Sequence, residues 1–202
     1  MKLINLKSGE ERVITDFSIF KGGVIQRQNM QAVAIIAAIT PVMVVGRHDN
    51  KLYFGMNDKY EIYKTDLQGK DLGGFTLERE KSSVTLKQKE QVMLDLVKGL
   101  APPEIAKQLA KSLPDKETYY SNILSHNGML YLYKSAFVPG NRQQIDIISL
   151  EGKYLYRGII KVKEGTTIAI APTFHKDYLY IALEDEADEI TINKYKTVLP
   201  QQ

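Results

Sequence analysis

Hydrophobic and polar positions alternate with a period of two over most of the chain, which is typical of β-strands that bury one face. The same arrangement occurs three times: a Leu-Tyr strand, a loop, and a second strand rich in isoleucine. The three copies are Lys51–Phe54 with Tyr60–Lys70, Met129–Leu132 with Gln144–Lys153, and Tyr178–Ile181 with Glu189–Lys196. Such self-similarity indicates one supersecondary unit that is stacked several times. The sequence therefore predicts an all-β repeat protein.

Each unit also contains outer strands. First strands are predicted over Val42–Arg47, Asn122–Ser125 and Ile168–Phe174. Turns at Gly69 and Gly152 lead to fourth strands predicted over Leu72–Leu77 and Tyr154–Val162, because glycine accepts the positive φ of a tight turn. Four antiparallel strands at a period of about 45 residues are typical of a β-propeller blade. Leu3–Gly9 and Arg12–Phe17 resemble the end of another blade, so about three and a half blades are predicted within a single domain spanning residues 1–202.

The spacing of the copies requires an insertion, and residues 84–114 have the helical pattern that supplies one. Thr85 and Gln88 have the spacing of a capping box, and apolar residues then recur on one helical face. That face comprises Leu86, Val92, Met93, Leu96 and Val97. A second helix is predicted to begin at Pro102-Pro103-Glu104 and to stop before Pro114. This helical insertion is the feature that repetition does not explain, so partner specificity is expected there, with a lid or packing role as the alternative.

An uncharged stretch from Gln28 to Gly46 is the strongest membrane candidate in the sequence. Its apolar part is shorter than the ~20 residues of a spanning helix, and Pro41 interrupts it. We therefore predict two buried strands on either side of Pro41 rather than a membrane span. The first twenty residues carry six charged side chains and do not have the pattern of a signal peptide.

Amino-acid composition and charge limit the classes of function that the protein can have. Hydrophobic residues make up 44% and charged residues 25%, which is enough apolar material for a packed core. The net charge of +3 is spread along the chain without a basic stripe, so nucleic acid is not an expected partner. The absence of cysteine excludes disulfides and thiolate chemistry.

Polar side chains in the turns could act as metal ligands. In the first unit, oxygen donors occur at Asn50, Asn57, Asp58, Asp66 and Asp71, but their spacing does not match a calcium loop. We interpret them as turn residues that bond their own backbone. The acidic cluster Asp185–Glu189 is interpreted as a solvated hairpin tip.

His48, His126 and His175 occupy equivalent positions, each just before the second strand of its unit. This recurrence would suit a metal ring or a proton relay. Because each histidine precedes a turn, we expect instead that it leaves the first strand there. Twelve tyrosines could stack on sugars or peptides, but most lie at repeated strand positions and are expected to pack between blades.

The arrangement of Tyr60–Lys70, the Val84-Thr85 start of the insertion and the Leu-Tyr strands resembles bacterial six-bladed β-propeller proteins of the NHL-like and TolB-like kind. The resemblance covers most of residues 42–198. It implies that the chain corresponds to the C-terminal half of such a ring, and that localisation is open, with export expected if a signal-bearing N-terminal half exists elsewhere.

No Gly-x-Ser-x-Gly elbow and no phosphate-binding loop occur, so no catalytic, cofactor-binding or metal-ligating residue is predicted. The leading hypothesis is a non-enzymatic binding or scaffold protein that recognises a peptide, glycan or protein. The alternatives are a metal-dependent propeller hydrolase or lactonase, and a half-propeller without independent activity. Open blades expose edges and apolar faces, so self-association or pairing with a separate half is also expected.

Overall fold

The computed structural model describes residues 2–4, 11–13, 23–27, 30–34, 40–97, 102–134 and 142–196. They form antiparallel sheets and two helices, which confirms the predicted β architecture. Two hairpins come first, formed by β1 (Lys2–Ile4) with β2 (Glu11–Val13) and by β3 (Gly23–Arg27) with β4 (Met30–Ala34). Most of the predicted strands Leu3–Gly9 and Arg12–Phe17 lies outside the described residues, and the membership of β1 and β2 in a further blade stays a prediction.

Three larger sheets follow, and in each of them consecutive strands are neighbours. The first sheet contains β5 (Met43–His48), β6 (Lys51–Met56), β7 (Glu61–Asp66) and β8 (Asp71–Thr76). The second contains β9 (Asn122–His126), β10 (Met129–Lys134), β11 (Arg142–Ser149) and β12 (Tyr154–Lys161). The third contains β13 (Thr166–His175), β14 (Tyr178–Asp185) and β15 (Ile190–Lys196). The predicted strands are thus present, with ends shifted by a few residues.

Strands β4 and β5 lie on either side of Pro41, as predicted, and residues 35–39 lie outside the described part of the chain. The prediction that both strands are buried is wrong for β5, because Met43 and Val45 on one of its faces are exposed. Within the described ranges, neither helix has the length and apolar character needed to cross a bilayer.

Turns with the same backbone geometry recur at equivalent positions between the strands. The residues after the three histidines, Asp49, Asn127 and Lys176, all have positive φ, between 47° and 52°. Gly69 and Gly152 occupy equivalent turns before the fourth strands, with φ of 80° and 92°. Each of these glycines donates its N–H to the carbonyl three residues earlier, at 3.0 Å. The turn chemistry predicted from the sequence is therefore confirmed.

The helical insertion contains α1 (Leu86–Leu96) and α2 (Pro103–Ser112). The capping box forms as predicted: Gln88 N–H donates to Thr85 Oγ1 at 3.3 Å, and Thr85 N–H donates to Gln88 Oε1 at 2.9 Å. Met93 is buried against Ala106 and Leu109, so the helices have a small core of their own.

One detail of the predicted apolar face is wrong. Leu86 is exposed, whereas Lys89 is buried. Lys89 Nζ donates to the carbonyl of Leu113 at 2.9 Å and to Asp115 Oδ1 at 2.7 Å. These bonds satisfy the hydrogen-bonding needs of the ammonium group. They explain why Lys89, rather than the predicted Leu86, can lie on the buried face of α1.

Successive large sheets pack face to face, with the second sheet in the middle. Its first face joins the first sheet in a core that includes Tyr53, Ile62, Ile123, Leu130 and Ile148. Its other face, with Tyr131, Tyr133, Ile145 and Ile147, packs on Ile168 and Phe174 of the third sheet. The first strands β5, β9 and β13 lie side by side. Closure of a ring and the number of blades are not shown and stay predictions.

Candidate functional site

An open groove of about 520 Å³ lies where the helical insertion leaves the first sheet. Its lining combines apolar, aromatic and charged side chains from the first two sheets and from the segment that follows β8. The lining residues are Tyr60, Leu77, Glu78, Arg79, Tyr154 and Arg157.

Asp146 lies in contact with four of these residues and has a side chain only 2% exposed. It occupies β11 between Ile145 and Ile147, on the face toward the first sheet. Its Oδ2 accepts from Tyr60 OH and from Arg79 Nη1, both at 2.7 Å. Its Oδ1 accepts from Arg157 Nε at 2.8 Å and from Tyr154 OH at 3.0 Å. Four donors therefore satisfy one buried carboxylate, which is the condition under which a buried charge is tolerated.

The residues that bond Asp146 come from different parts of the fold. Arg157 faces Asp146 directly across the β11–β12 register. Tyr60 precedes β7 in the first sheet and bonds a carboxylate 86 residues further along the chain. The Arg79 segment is held in place because Leu77 N–H donates to the Tyr60 carbonyl at 2.8 Å and Tyr119 OH donates to the Arg79 carbonyl at 2.8 Å. The cluster thus links the first sheet, the second sheet and the base of the insertion.

Gln144 completes the cluster. With its amide oxygen toward the two guanidinium groups, that oxygen accepts from Arg79 Nη1 at 2.9 Å and from Arg157 Nε at 3.2 Å. The two arginines are therefore held by Asp146 and Gln144 together, which fixes their orientation at the groove wall.

The environment keeps Asp146 ionised. Burial by itself raises the pKa of Asp146, but the hydrogen bonds from Arg157 and Tyr60 and the charge of Arg79 outweigh burial, so the pKa lies below 3.8. Burial, and then the neighbouring Asp146 charge, raise the pKa values of Tyr60 and Tyr154. A fully bonded carboxylate with a low pKa is a poor general base. The chemistry of the cluster is therefore suited to binding rather than to proton transfer.

The charges in the cluster do not cancel. Asp146 supplies one negative charge against the two positive charges of Arg79 and Arg157, and Arg157 is 40% exposed. The Asp146 cluster alone therefore has a net charge of +1. The exposed Glu78 also lines the groove, and its charge balances that of the cluster. The groove thus places an exposed guanidinium, a carboxylate and the side chains of Leu77 and Tyr154 side by side.

The structure places the three histidines at equivalent ends of β5, β9 and β13, as predicted. They are not brought together as a common ligand set, since no group of three His, Asp or Glu side chains suited to a metal occurs among the described residues. His126 instead stacks on Phe174, with ring centroids 4.7 Å apart and planes 2° apart. Burial lowers its pKa, while Asp177 opposes that effect.

The acidic turn residues bond their own backbone, in agreement with the interpretation from sequence. Asp66 Oδ1 accepts from Lys70 N–H at 2.8 Å, and Asp71 Oδ1 accepts from Gly73 N–H at 2.7 Å. The interpretation is wrong for Asn57, which is fully buried and whose Oδ1 accepts from Val42 N–H, 15 residues earlier in the chain, at 2.8 Å. The cluster Asp185–Glu189 is an exposed hairpin tip between β14 and β15, as predicted.

Sequence reasoning missed the three central residues of the site, Asp146, Arg79 and Arg157. A signal for Asp146 was present, because a lone carboxylate inside the apolar run Ile145–Ile148 requires buried partners. Arg79 and Tyr60 lie 67 and 86 residues earlier in the chain, so no local spacing could identify them. Tyr154 and Arg157 lie only 8 and 11 residues later, on the neighbouring strand β12, so pairing of β11 with β12 could have indicated them. The expectation of specificity in the helical insertion stays a prediction, and the six residues that line the groove lie outside residues 84–114.

No protein-family model matches this sequence, and no curated protein matches it either.

Proposed function

We propose that the chain is a non-enzymatic binding protein built from β-propeller blades, and that its groove holds an acidic peptide segment of a protein partner. The blade proposal is supported by antiparallel meanders that pack face to face with their first strands side by side. The resemblance to bacterial NHL-like and TolB-like rings agrees with this arrangement but does not specify the ligand.

The observation that carries the binding proposal is the sharing of one buried carboxylate by two arginines at the groove wall. A guanidinium that is oriented by a buried partner loses little freedom when it binds a second carboxylate. A ligand carboxylate would pair with the exposed part of the Arg157 guanidinium, and an adjacent apolar side chain would cover Leu77 and Tyr154. Acidic and apolar residues side by side are thus the expected recognition feature.

The metal-dependent hydrolase is the second class that the sequence left open. Within the described ranges no observation favours it, because the polar side chains at the groove are arginines, tyrosines and one glutamate rather than a donor set. The absence of a suitable base in the Asp146 cluster also favours binding over catalysis there.

The test uses an array of short amidated peptides in which one position is Asp, Glu, Asn or Gln and its neighbour is Leu, Phe, Gly or Ser. The best peptide is then labelled, and its Kd is measured by fluorescence anisotropy. We expect peptides with Asp or Glu next to Leu or Phe to bind best, and the affinity to fall with added salt because the groove contact is partly exposed. Equal binding of the Glu peptide and its Gln counterpart would contradict the proposal.

Two variants test the groove itself. Arg157→Gln removes the exposed cation, and we expect affinity to fall about tenfold or more because a charged bond of about 1.5–3 kcal/mol is lost. Glu78→Gln removes an exposed repulsive charge without touching the Asp146 cluster, and we expect affinity to rise about two- to fivefold. Glu78→Gln keeps the test decisive if Arg157→Gln disturbs folding.

The matched control is Arg47→Gln, since the Arg47 guanidinium bonds the Asp49 carbonyl at an exposed turn and does not line the groove. An effect of Arg47→Gln equal to that of Arg157→Gln would show that binding depends on net charge alone, and would count against a specific groove.

A further inference from the structure

The internal repeat shows which face of each sheet is built to be covered. Tyr53, Tyr131 and Tyr180 follow the leucine of the Leu-Tyr strands in the three copies. Tyr53 is buried at the interface of the first sheet with the second, and Tyr131 at the interface of the second sheet with the third. Tyr180 is the next in the series, and it is only partly buried. The equivalent face is buried in the first two sheets. On the third sheet, no other described residues cover it.

The rest of that face has the same character. Leu179, Ile181 and Leu183 of β14 pack toward the second sheet, so alternation places Tyr180 and Ala182 on the opposite side. The strand register adds Ile192 opposite Ala182, and Ile192 is 74% exposed. Its equivalent in the second sheet is Ile145, opposite Tyr133, which is buried under the third sheet. An apolar position that is filled in one copy is thus open in the next.

Among the described residues, the first sheet also has a partly uncovered face, at the other end of the series. Val45 lies opposite Phe54 on the face away from the second sheet and is 41% exposed, whereas Phe54 stacks on Tyr63 and is only 5% exposed. Its equivalent is Ile123, which lies opposite Leu132 and is buried against the first sheet. Met43 and Tyr63 on the same face are also exposed. This face corresponds to the one by which the second and third sheets dock on their predecessors.

The charges on the two open faces have opposite signs. By register, the outer face of the third sheet carries Lys194, Lys196 and Glu184, a net charge of +1. The open face of the first sheet carries Glu61, Asp71 and Arg47, a net charge of −1. Opposite charges around apolar centres favour association of these two faces over association of either face with itself.

We propose that the outer face of the third sheet docks on the open face of the first sheet of a second copy of this chain. Because one chain carries both faces, two chains can close head to tail and use the interface twice. A two-fold dimer results, in which each contact repeats the packing between consecutive sheets. This inference is independent of the groove and of its ligand.

Light scattering coupled to size-exclusion chromatography tests the assembly, since the monomer mass is 22.9 kDa. We expect the 202-residue chain to elute with twice that mass. Ile192→Glu and Val45→Glu each place a charge at an already exposed site on one face, and each is expected to weaken dimerisation more than tenfold. Ile159→Glu is the matched control, because Ile159 is a comparably exposed apolar residue of β12 outside both faces, and it should leave the dimer intact.

A mixing experiment distinguishes this geometry from a dimer of identical faces. A mixture of Ile192→Glu and Val45→Glu chains retains one intact pair of faces, so the mixture should form a heterodimer that neither variant forms alone. A monomeric wild-type chain would overturn the proposal. A dimer that survives Ile192→Glu, or a mixture that stays monomeric, would overturn it as well.

Discussion

The second sheet packs against a neighbouring sheet on each of its faces. Buried polar atoms are hydrogen-bonded at one interface and have no partner at the other, within the described residues. Toward the first sheet, Asp146 is buried with four donors, and Tyr60 contributes one of them. Toward the third sheet, the Tyr131 and Tyr133 hydroxyls and His126 Nε2 are buried and have no hydrogen-bond partner within the described part of the chain. Both interfaces also bury isoleucines and tyrosines.

This difference separates two contributions to packing. Apolar burial is shared by both interfaces and is tolerant of small shifts, whereas the Asp146 cluster requires specific atoms to meet at hydrogen-bond distance. The first interface therefore has a defined geometry, and the groove lies there. The second interface depends on apolar contact and carries unpaired polar atoms as a cost.

The largest expected effect comes from Asp146→Asn, which removes the shared negative charge and leaves two arginines facing each other. We expect a loss of about 3 to 5 kcal/mol in the free energy of unfolding, as for other broken buried ion pairs. Urea denaturation measures it, with Asp49→Asn at an exposed turn as the control. If Asp146→Asn lowers the free energy of unfolding no more than the control does, the Asp146 cluster does not distinguish the first interface from the second.

Tyr60→Phe removes one donor from the ionised Asp146 and should lower the free energy of unfolding by about 1.5 to 3 kcal/mol, because bonds to charged groups are the stronger kind. The same denaturation experiment measures this change. A Tyr60→Phe chain as stable as the wild type would mean that the remaining three donors suffice.

Tyr133→Phe is the matched substitution at the other interface and should have the opposite sign. Removal of a buried hydroxyl without a partner is expected to raise the free energy of unfolding by about 1 kcal/mol. If Tyr133→Phe destabilises the protein as Tyr60→Phe does, the two interfaces do not differ in the proposed way.

The smallest effect concerns pH and His126. Burial holds the folded-state pKa of His126 below 6.5, so as pH falls below 6.5 the unfolded chain binds a proton that the folded chain resists. The contribution of His126 is therefore present above pH 6.5 and is lost as pH falls toward the folded pKa. Asp146 has the same sign of dependence, but its window lies below 3.8.

His126→Phe keeps a ring stacked on Phe174 and removes the titration. The shift in urea midpoint between about pH 7.5 and about pH 5 should be smaller in this variant than in the wild type, and that range excludes the Asp146 window. An unchanged shift would assign the pH dependence to other groups.

The sequence was sufficient for features that depend on local spacing. Alternation located the strands of all three large sheets, and the Thr85–Gln88 spacing located the start of α1 together with its two capping bonds. The burial of Lys89 in place of Leu86 was not predictable, because it depends on the carbonyl of Leu113 after the second helix. Tyr60 and Arg79 were missed as partners of Asp146 for the same reason, since they reach it only when the first sheet and the segment after β8 pack on the second sheet. Arg157 lies opposite Asp146 within one sheet and was open to prediction from strand pairing.

The neck of the helical insertion has a consequence for how such a protein can diverge. Val84 N–H donates to the Asp115 carbonyl at 2.8 Å, and Glu117 N–H donates to the Ser82 carbonyl at 2.9 Å, so the two ends of the insertion leave and rejoin the sheets as neighbours. The helices between them have a core of their own. A segment with adjacent ends can be exchanged for another of different length at little entropic cost. The insertion is thus a natural site for transplantation, where a new module could be placed beside the arginine groove without rebuilding the sheets.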